Sequence, residues 1–155
     1  MNITEHERVE GIEAFCKGLN LRHFSPRELL SKGKAHETPG HRGFGLNTEP
    51  PPELWANVIP AITMADRMRE HFGRPVVILS AYRNAVYNAA IGGASRSQHL
   101  KFCALDLSCP GITPQACFDW LSIQRDRGVF CGGLGLYRSF VHVDGRGTNA
   151  TWINT

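Results

Sequence analysis

The 155-residue sequence has no apolar run approaching the roughly 20 residues that span a bilayer, so no membrane-spanning helix is expected. It has no long Lys/Arg run either. Its 17 cations stand against 14 acids, a net charge of +3 spread too thinly for a nucleic-acid footprint. The five cysteines (Cys16, Cys103, Cys109, Cys117 and Cys131) are odd in number and contain no C-x-x-C pair. That argues against a disulfide framework and against a Cys-rich zinc ribbon, and they read as reduced, half-buried apolar residues. The stretch Met1 to Arg8 lacks the apolar centre of a signal peptide, so synthesis in the cytoplasm without self-directed export is expected. No repeat or low-complexity segment is present. What is there is an ordinary globular composition, 42% hydrophobic and 20% charged. A chain of this length buries about 70% of its unfolded surface, enough for one core. Disorder, collagen and coiled coil are excluded.

Periodicity places the elements. Val9, Ile12, Phe15 and Leu19 recur at helical spacing within the first twenty residues, and Ser25-Pro26-Arg27-Glu28 is a capped helix start. A Gly-, Pro- and His-rich loop runs from about 32 to 52 and is expected to supply part of a cleft wall, its histidines facing solvent. Residues 53 to 72 carry Leu54, Val58, Ile62, Ala65 and Met68 on one face, with Pro60 kinking or breaking the helix and Gly73 stopping it. The continuous apolar run Pro75 to Ser80 reads as a buried strand. Helices at 84–91 and 113–125 alternate with strands at 103–107, 130–137 and 140–143, the last two as a hairpin. Trp55, Trp120 and Trp152 read as core or edge packing. The class is α+β: a small antiparallel sheet with helices around it, in one domain.

Two of the seven histidines stand apart. His6 lies in a charged stretch and His71 at a helix C-terminus, where a cation suits the dipole. His99 follows Gly92-Gly93 in a turn and precedes Asp106 on a strand, while His142 sits on a later strand flanked by apolar residues. With side chains alternating along each strand, Asp106 and His142 converge if their strands are neighbours, and the turn brings His99 over them. Two imidazoles and a carboxylate are what a catalytic zinc takes from protein, with a fourth position for water. Spacing alone leaves open two unrelated histidines and a surface Asp.

Three ordered motifs carry more. Ser80-Ala81-Tyr82-Arg83, Ser97-x-His99 through Ala104-x-Asp106, and Gly133-x-Gly135-x-Tyr137 followed by Val141-His142-Val143-Asp144 together resemble the M15 zinc peptidases. These are D-alanyl-D-alanine carboxypeptidases and related peptidoglycan peptidases, phage endolysins among them. The resemblance runs from about Phe24 to Trp152, so 1–20 is read as an N-terminal helical segment and 21–155 as the M15-like domain. It implies Zn2+ on His99, Asp106 and His142. It also implies that Arg83, whose guanidinium offers a bidentate fork, holds a substrate carboxylate beside Tyr82 and Ser97. Arg83 in a surface ion pair is the alternative, and Ser97 equally suits orienting His99 or capping a turn; Gln98 reads as structural. The sequence departs from the family at Phe102, where relatives commonly have Gly, and at Ser139, where several carry an acidic general base. Asp144, the one nearby carboxylate, is then the candidate base, or else a partner that orients a zinc ligand.

The resemblance thus implies a zinc-dependent hydrolase of peptidoglycan peptides, monomeric, reaching the bacterial wall through a phage holin or within a phage particle. The rivals are a zinc-containing wall-binding module without turnover, and a nucleic-acid binder favoured only by the weak positive charge.

Overall fold

The computed structural model describes residues 4–155. Met1, Asn2 and Ile3, and the side chains of Glu5, Arg8 and Val9, on which part of the N-terminal reading rests, lie outside the described residues. Helix α1 (Glu5–Gly18) opens on a capping box between Thr4 and Glu7, and α2 (Pro26–Leu29) on the expected one between Ser25 and Glu28. Ile12 and Leu29 carry these helices into the core.

The loop after α2 differs from expectation. It contains a single turn of helix, α3 (Lys34–Glu37), and contributes no residue to the cleft described below. It packs from behind instead. The buried Asn47 side chain donates to the carbonyls of Lys32 and Tyr82 and accepts from Asn84 N–H, fixing the segment that carries Arg83. The long helix is broken where Pro60 predicted. A 3-10 stretch, Pro52–Val58, gives way to α4 (Ile59–Phe72), with proline in the first turn, where its missing N–H costs nothing.

The sheet is built from β1 (Val77–Ser80), β2 (Ala104–Ser108), β3 (Gly133–Tyr137), β4 (Val141–Asp144) and β5 (Ala150–Asn154), in the order β1-β2-β4-β3-β5. The fold is α+β in one small domain, but the sheet is mixed: β5 lies parallel to β3. Two readings need correction. β5 was not expected at all. β1 is an edge strand with Val77 and Leu79 exposed, so only one of its faces is covered. Helix α5 (Ala85–Ala90), capped by Asn84, follows β1, and α6 (Pro114–Asp126), capped by Thr113, links β2 to β3. All five cysteines are free thiols; four are buried and Cys131 is exposed.

Alternation along the strands divides the sheet. Leu105, Leu107, Leu134, Leu136, Val141 and Val143 form one face, packed into the core with Ile62, Met68 and Leu121 of α4 and α6. Each such burial stabilises by roughly 1.5–3 kcal/mol. The opposite face carries Asp106, His142 and Asp144, all buried.

Candidate metal centre and its cleft

β2 and β4 are antiparallel neighbours in a register that sets Asp106 directly across from His142. His99 comes from a short 3-10 turn, Gln98–Lys101, capped by the Ser97 side chain, which accepts from His99 N–H. Arg83 N–H donates to the His99 carbonyl, pinning that turn over the sheet. Phe102 closes it in a left-handed conformation (φ 55°), one that glycine adopts without steric cost. Its ring is fully buried, edge-on to Tyr82, and that burial outweighs a backbone penalty of about 1–2 kcal/mol.

The three side chains meet. Ligand atoms of His99, Asp106 and His142 all lie within 4.8 Å of one another. His99 Nε2 stands 3.2 Å from one carboxylate oxygen of Asp106, and His142 Nδ1 stands 2.9 Å from the other. A hydrogen bond on the far side of the His99 ring fixes its proton. His99 Nδ1 is 2.7 Å from the Ala81 carbonyl, which can only accept, so Nδ1 carries the hydrogen and Nε2 of the neutral ring carries none. That Nε2 is buried and has no hydrogen-bond partner. His142 Nε2 is 2.8 Å from Asp144 Oδ2, leaving Nδ1 to face the Asp106 carboxylate. The bare Nε2 lone pair of His99 is repelled by the carboxylate beside it unless a cation lies between them, and this donor set fits a metal ion.

The titrations agree. Burial holds His99 below the ordinary histidine value and keeps it neutral. Burial also opposes charge on His142, but the hydrogen bonds and charges of Asp106 and Asp144 outweigh it and raise its proton affinity. Burial disfavours the charged form of Asp106 too, yet His99 and His142 hold it well below the carboxylate range. Asp144 lies equally low, bonded to His142, Arg146 and Gly133 N–H.

The site floors a cleft of about 680 Å³ whose walls include Arg83, Arg96, Ser97, Gln98, Tyr137 and Arg146. Asp144 is not on that wall. It is 0% exposed and lies behind His142, accepting from Gly133 N–H, from Arg146 N–H and from the Arg146 guanidinium. That is where a ligand-orienting carboxylate belongs, and it leaves no oxygen free to take a proton from the cleft. Ser139 is exposed in the β3–β4 turn. Asp106 is the one carboxylate lining the cleft among the described residues.

Arg83 reaches the cleft with three of its five N–H donors engaged: Nε to Ser80 Oγ, one on Nη1 to Asn88 Oδ1, and one on Nη2 to Asp106 Oδ2 at 3.1 Å. Tyr82 packs on Phe102 and the core and does not line the cleft. Ser97 does line it, while Gln98 lines it and accepts from Cys103. Trp152, read from sequence as packing, is a cleft residue delivered by the unforeseen β5.

With this geometry in place, the comparison with family models is decisive: residues 22–144 match the Peptidase M15 model. The chain belongs to the Peptidase M15 family. No curated protein and no solved structure matches it. Membership supports a metal-dependent peptidase acting on a peptide, and the buried His-Asp-His group is where a metal can be held. No helix among the described residues is long and apolar enough to cross a membrane.

Proposed function

We propose that this peptidase uses zinc and hydrolyses peptide bonds in peptidoglycan, in stem peptides or cross-links, as a D-Ala-D-Ala carboxypeptidase or an endopeptidase. The observation that carries the reading is the meeting of His99, Asp106 and His142 ligand atoms within 4.8 Å on the floor of a peptide-sized cleft, with His99 Nε2 left bare beside the carboxylate. Two nitrogens and one oxygen are a donor set that zinc accepts. When held there, zinc supplies Lewis acidity and makes water acidic enough to attack a carbonyl near neutral pH.

The chain's own residues do the rest. The Ala81 carbonyl sets the tautomer of His99, Asp144 holds the His142 ring by its Nε2, and Arg83 holds Asp106. Arg96 has no partner among the described residues and stands on the cleft wall with Arg83 and Arg146. The cleft thus favours peptides that carry carboxylates, as stem peptides do. Because that substrate lies outside the cell membrane, the reading includes release to the bacterial wall, through a phage holin or within a phage particle.

A second reading, a zinc-containing wall-binding module, draws on the absence from the cleft of any described carboxylate besides Asp106. Zinc-loaded protein incubated with purified peptidoglycan separates the two. New amino groups, with product masses identifying the broken bond, support the peptidase. Retention of muropeptides without new amino groups establishes the binding module.

A further inference from the structure

The third motif, Gly133-x-Gly135-x-Tyr137, places alternate residues of β3 on the face of the sheet that bears His142 and Asp106. Its glycines have a spatial cause. A side chain at 133 would collide with the Asp144 carboxylate and the Arg146 guanidinium, and one at 135 with the indole nitrogen of Trp152. Gly135 is also the cross-strand partner of both His142 and Trp152. The Trp152 indole therefore lies over Gly135, beside the metal ligand. Its ring centroid is 5.0 Å from that of His142, and the Arg146 guanidinium lies 5.3 Å from its own ring.

That indole fixes a phenol. Trp152 Nε1 donates to Tyr137 Oη at 3.0 Å, and the Tyr137 ring stacks on Phe140 at 4.4 Å with its plane within 8°. The stack and the hydrogen bond fix Oη on the wall of the same cleft, one indole away from His142. Because Oη accepts from the indole, its own hydrogen is left over, and it meets no acceptor among the described residues. The other hydroxyl on the cleft wall, Ser97, caps the His99 turn, and two donors of the Arg146 guanidinium are taken by Asp144.

We propose that the Tyr137 hydroxyl is a catalytic hydrogen-bond donor, aimed at the oxygen of the scissile carbonyl as it gains negative charge. Trp152 is the positioning residue that holds it there. The proposal rests on the peptidase reading. It requires no proton transfer: the O–H bond stays intact, and the donor strengthens its bond as the carbonyl oxygen becomes anionic. Fixed donors of this kind act on the transition state rather than on the bound substrate.

The test compares wild type, Tyr137→Phe and Trp152→Phe, each loaded with zinc, in two measurements. The first is binding of a phosphinate dipeptide analogue, whose tetrahedral anionic group stands in for the charged carbonyl. The second is peptidoglycan turnover. Tyr137→Phe is expected to weaken phosphinate binding at least about tenfold and to lower kcat on the order of 10²-fold, with KM and zinc content unchanged. Trp152→Phe is expected to give a smaller loss of the same kind. Equal phosphinate affinity in wild type and Tyr137→Phe, or a change confined to KM, overturns the proposal. If the wild type shows no turnover, the peptidase reading falls, while the phosphinate comparison still decides the role of Tyr137.

Discussion

The two faces of β2 and β4 differ in nearly everything except their backbone. On one, Leu105, Leu107, Val141 and Val143 lie against α4 and α6, buried and without a polar atom. On the other, Asp106, His142 and Asp144 are as deeply buried, yet every one is ionisable. The aliphatic face stabilises by leaving water. The ionisable face costs desolvation, offset only because each group meets a partner of opposite sign or a hydrogen-bond donor. A sheet of five short strands thus carries a reactive site on a floor held rigid by the core beneath it.

Substituting one residue on each face breaks this comparison most sharply. His99→Ala removes the imidazole that closes the site from above. We expect metal content to fall from about one ion per chain to near zero and activity to fall on the order of 10³-fold, as the several kcal/mol the metal supplies are lost. The thermal midpoint of the metal-free protein should move little. Leu105→Ala should do the reverse: lose about 2–5 kcal/mol of stability, at roughly 2–4 °C per kcal/mol for this length, while the folded fraction keeps its metal. Metal analysis and thermal unfolding on both variants check the pair. If His99→Ala unfolds the metal-free protein, or Leu105→Ala empties the metal site, the faces are not independent.

The same division explains how far the sequence could be read. Asp106 and His142 were legible because a period of two and neighbouring strands suffice to bring them together, and the structure pairs them directly. His99 was legible from its turn and motif. β5 was not, because Ala150 to Asn154 is short and mostly exposed, and it becomes a strand only by pairing in parallel with β3, far from it in sequence. With β5 hidden, Trp152 read as packing, and nothing tied it to Tyr137. Val76 to Leu79 misled in the opposite sense, since a continuous apolar run reads as a buried strand while β1 lies at an edge. The role of Asp144 turned on which side of the His142 ring it occupies. Spacing along a strand gives the face of the sheet, not the side of a ring.

A finer contrast lies within the ionisable face, between the groups that could hold a metal and the group behind them. Asp144→Asn keeps the shape but weakens the acceptor on His142 Nε2. Loss of such an outer partner costs metal affinity about 10–100-fold, so we expect a site that still fills at saturating zinc but empties at free-metal concentrations at which wild type stays filled. Competition against a chelator of known affinity measures it. Affinity equal to wild type would show that the Asp144 hydrogen bond does not set the orientation of His142.

The smallest effect is in protons, and its sign follows from the four titrating groups. Asp106 and Asp144 are held far below their ordinary range, so both are already ionised at neutral pH and release nothing on metal binding. His99 is held below its ordinary value by burial and is neutral there as well. His142 alone is shifted upward, by Asp106 and Asp144 acting against burial, so in the metal-free protein it keeps a proton above its usual pH. Metal must displace that proton from Nδ1. Binding should therefore release about one proton per metal, and apparent affinity should rise with pH, by no more than about tenfold per unit, until His142 is deprotonated in the free protein. In Asp144→Asn one cause of the upward shift is gone, so the rise should level off at lower pH. Calorimetry of zinc binding in two buffers of different ionisation enthalpy counts the protons. Release of none, at a pH below that at which zinc-held water ionises, would mean that His142 is neutral in the free site and would contradict the upward shift assigned to it.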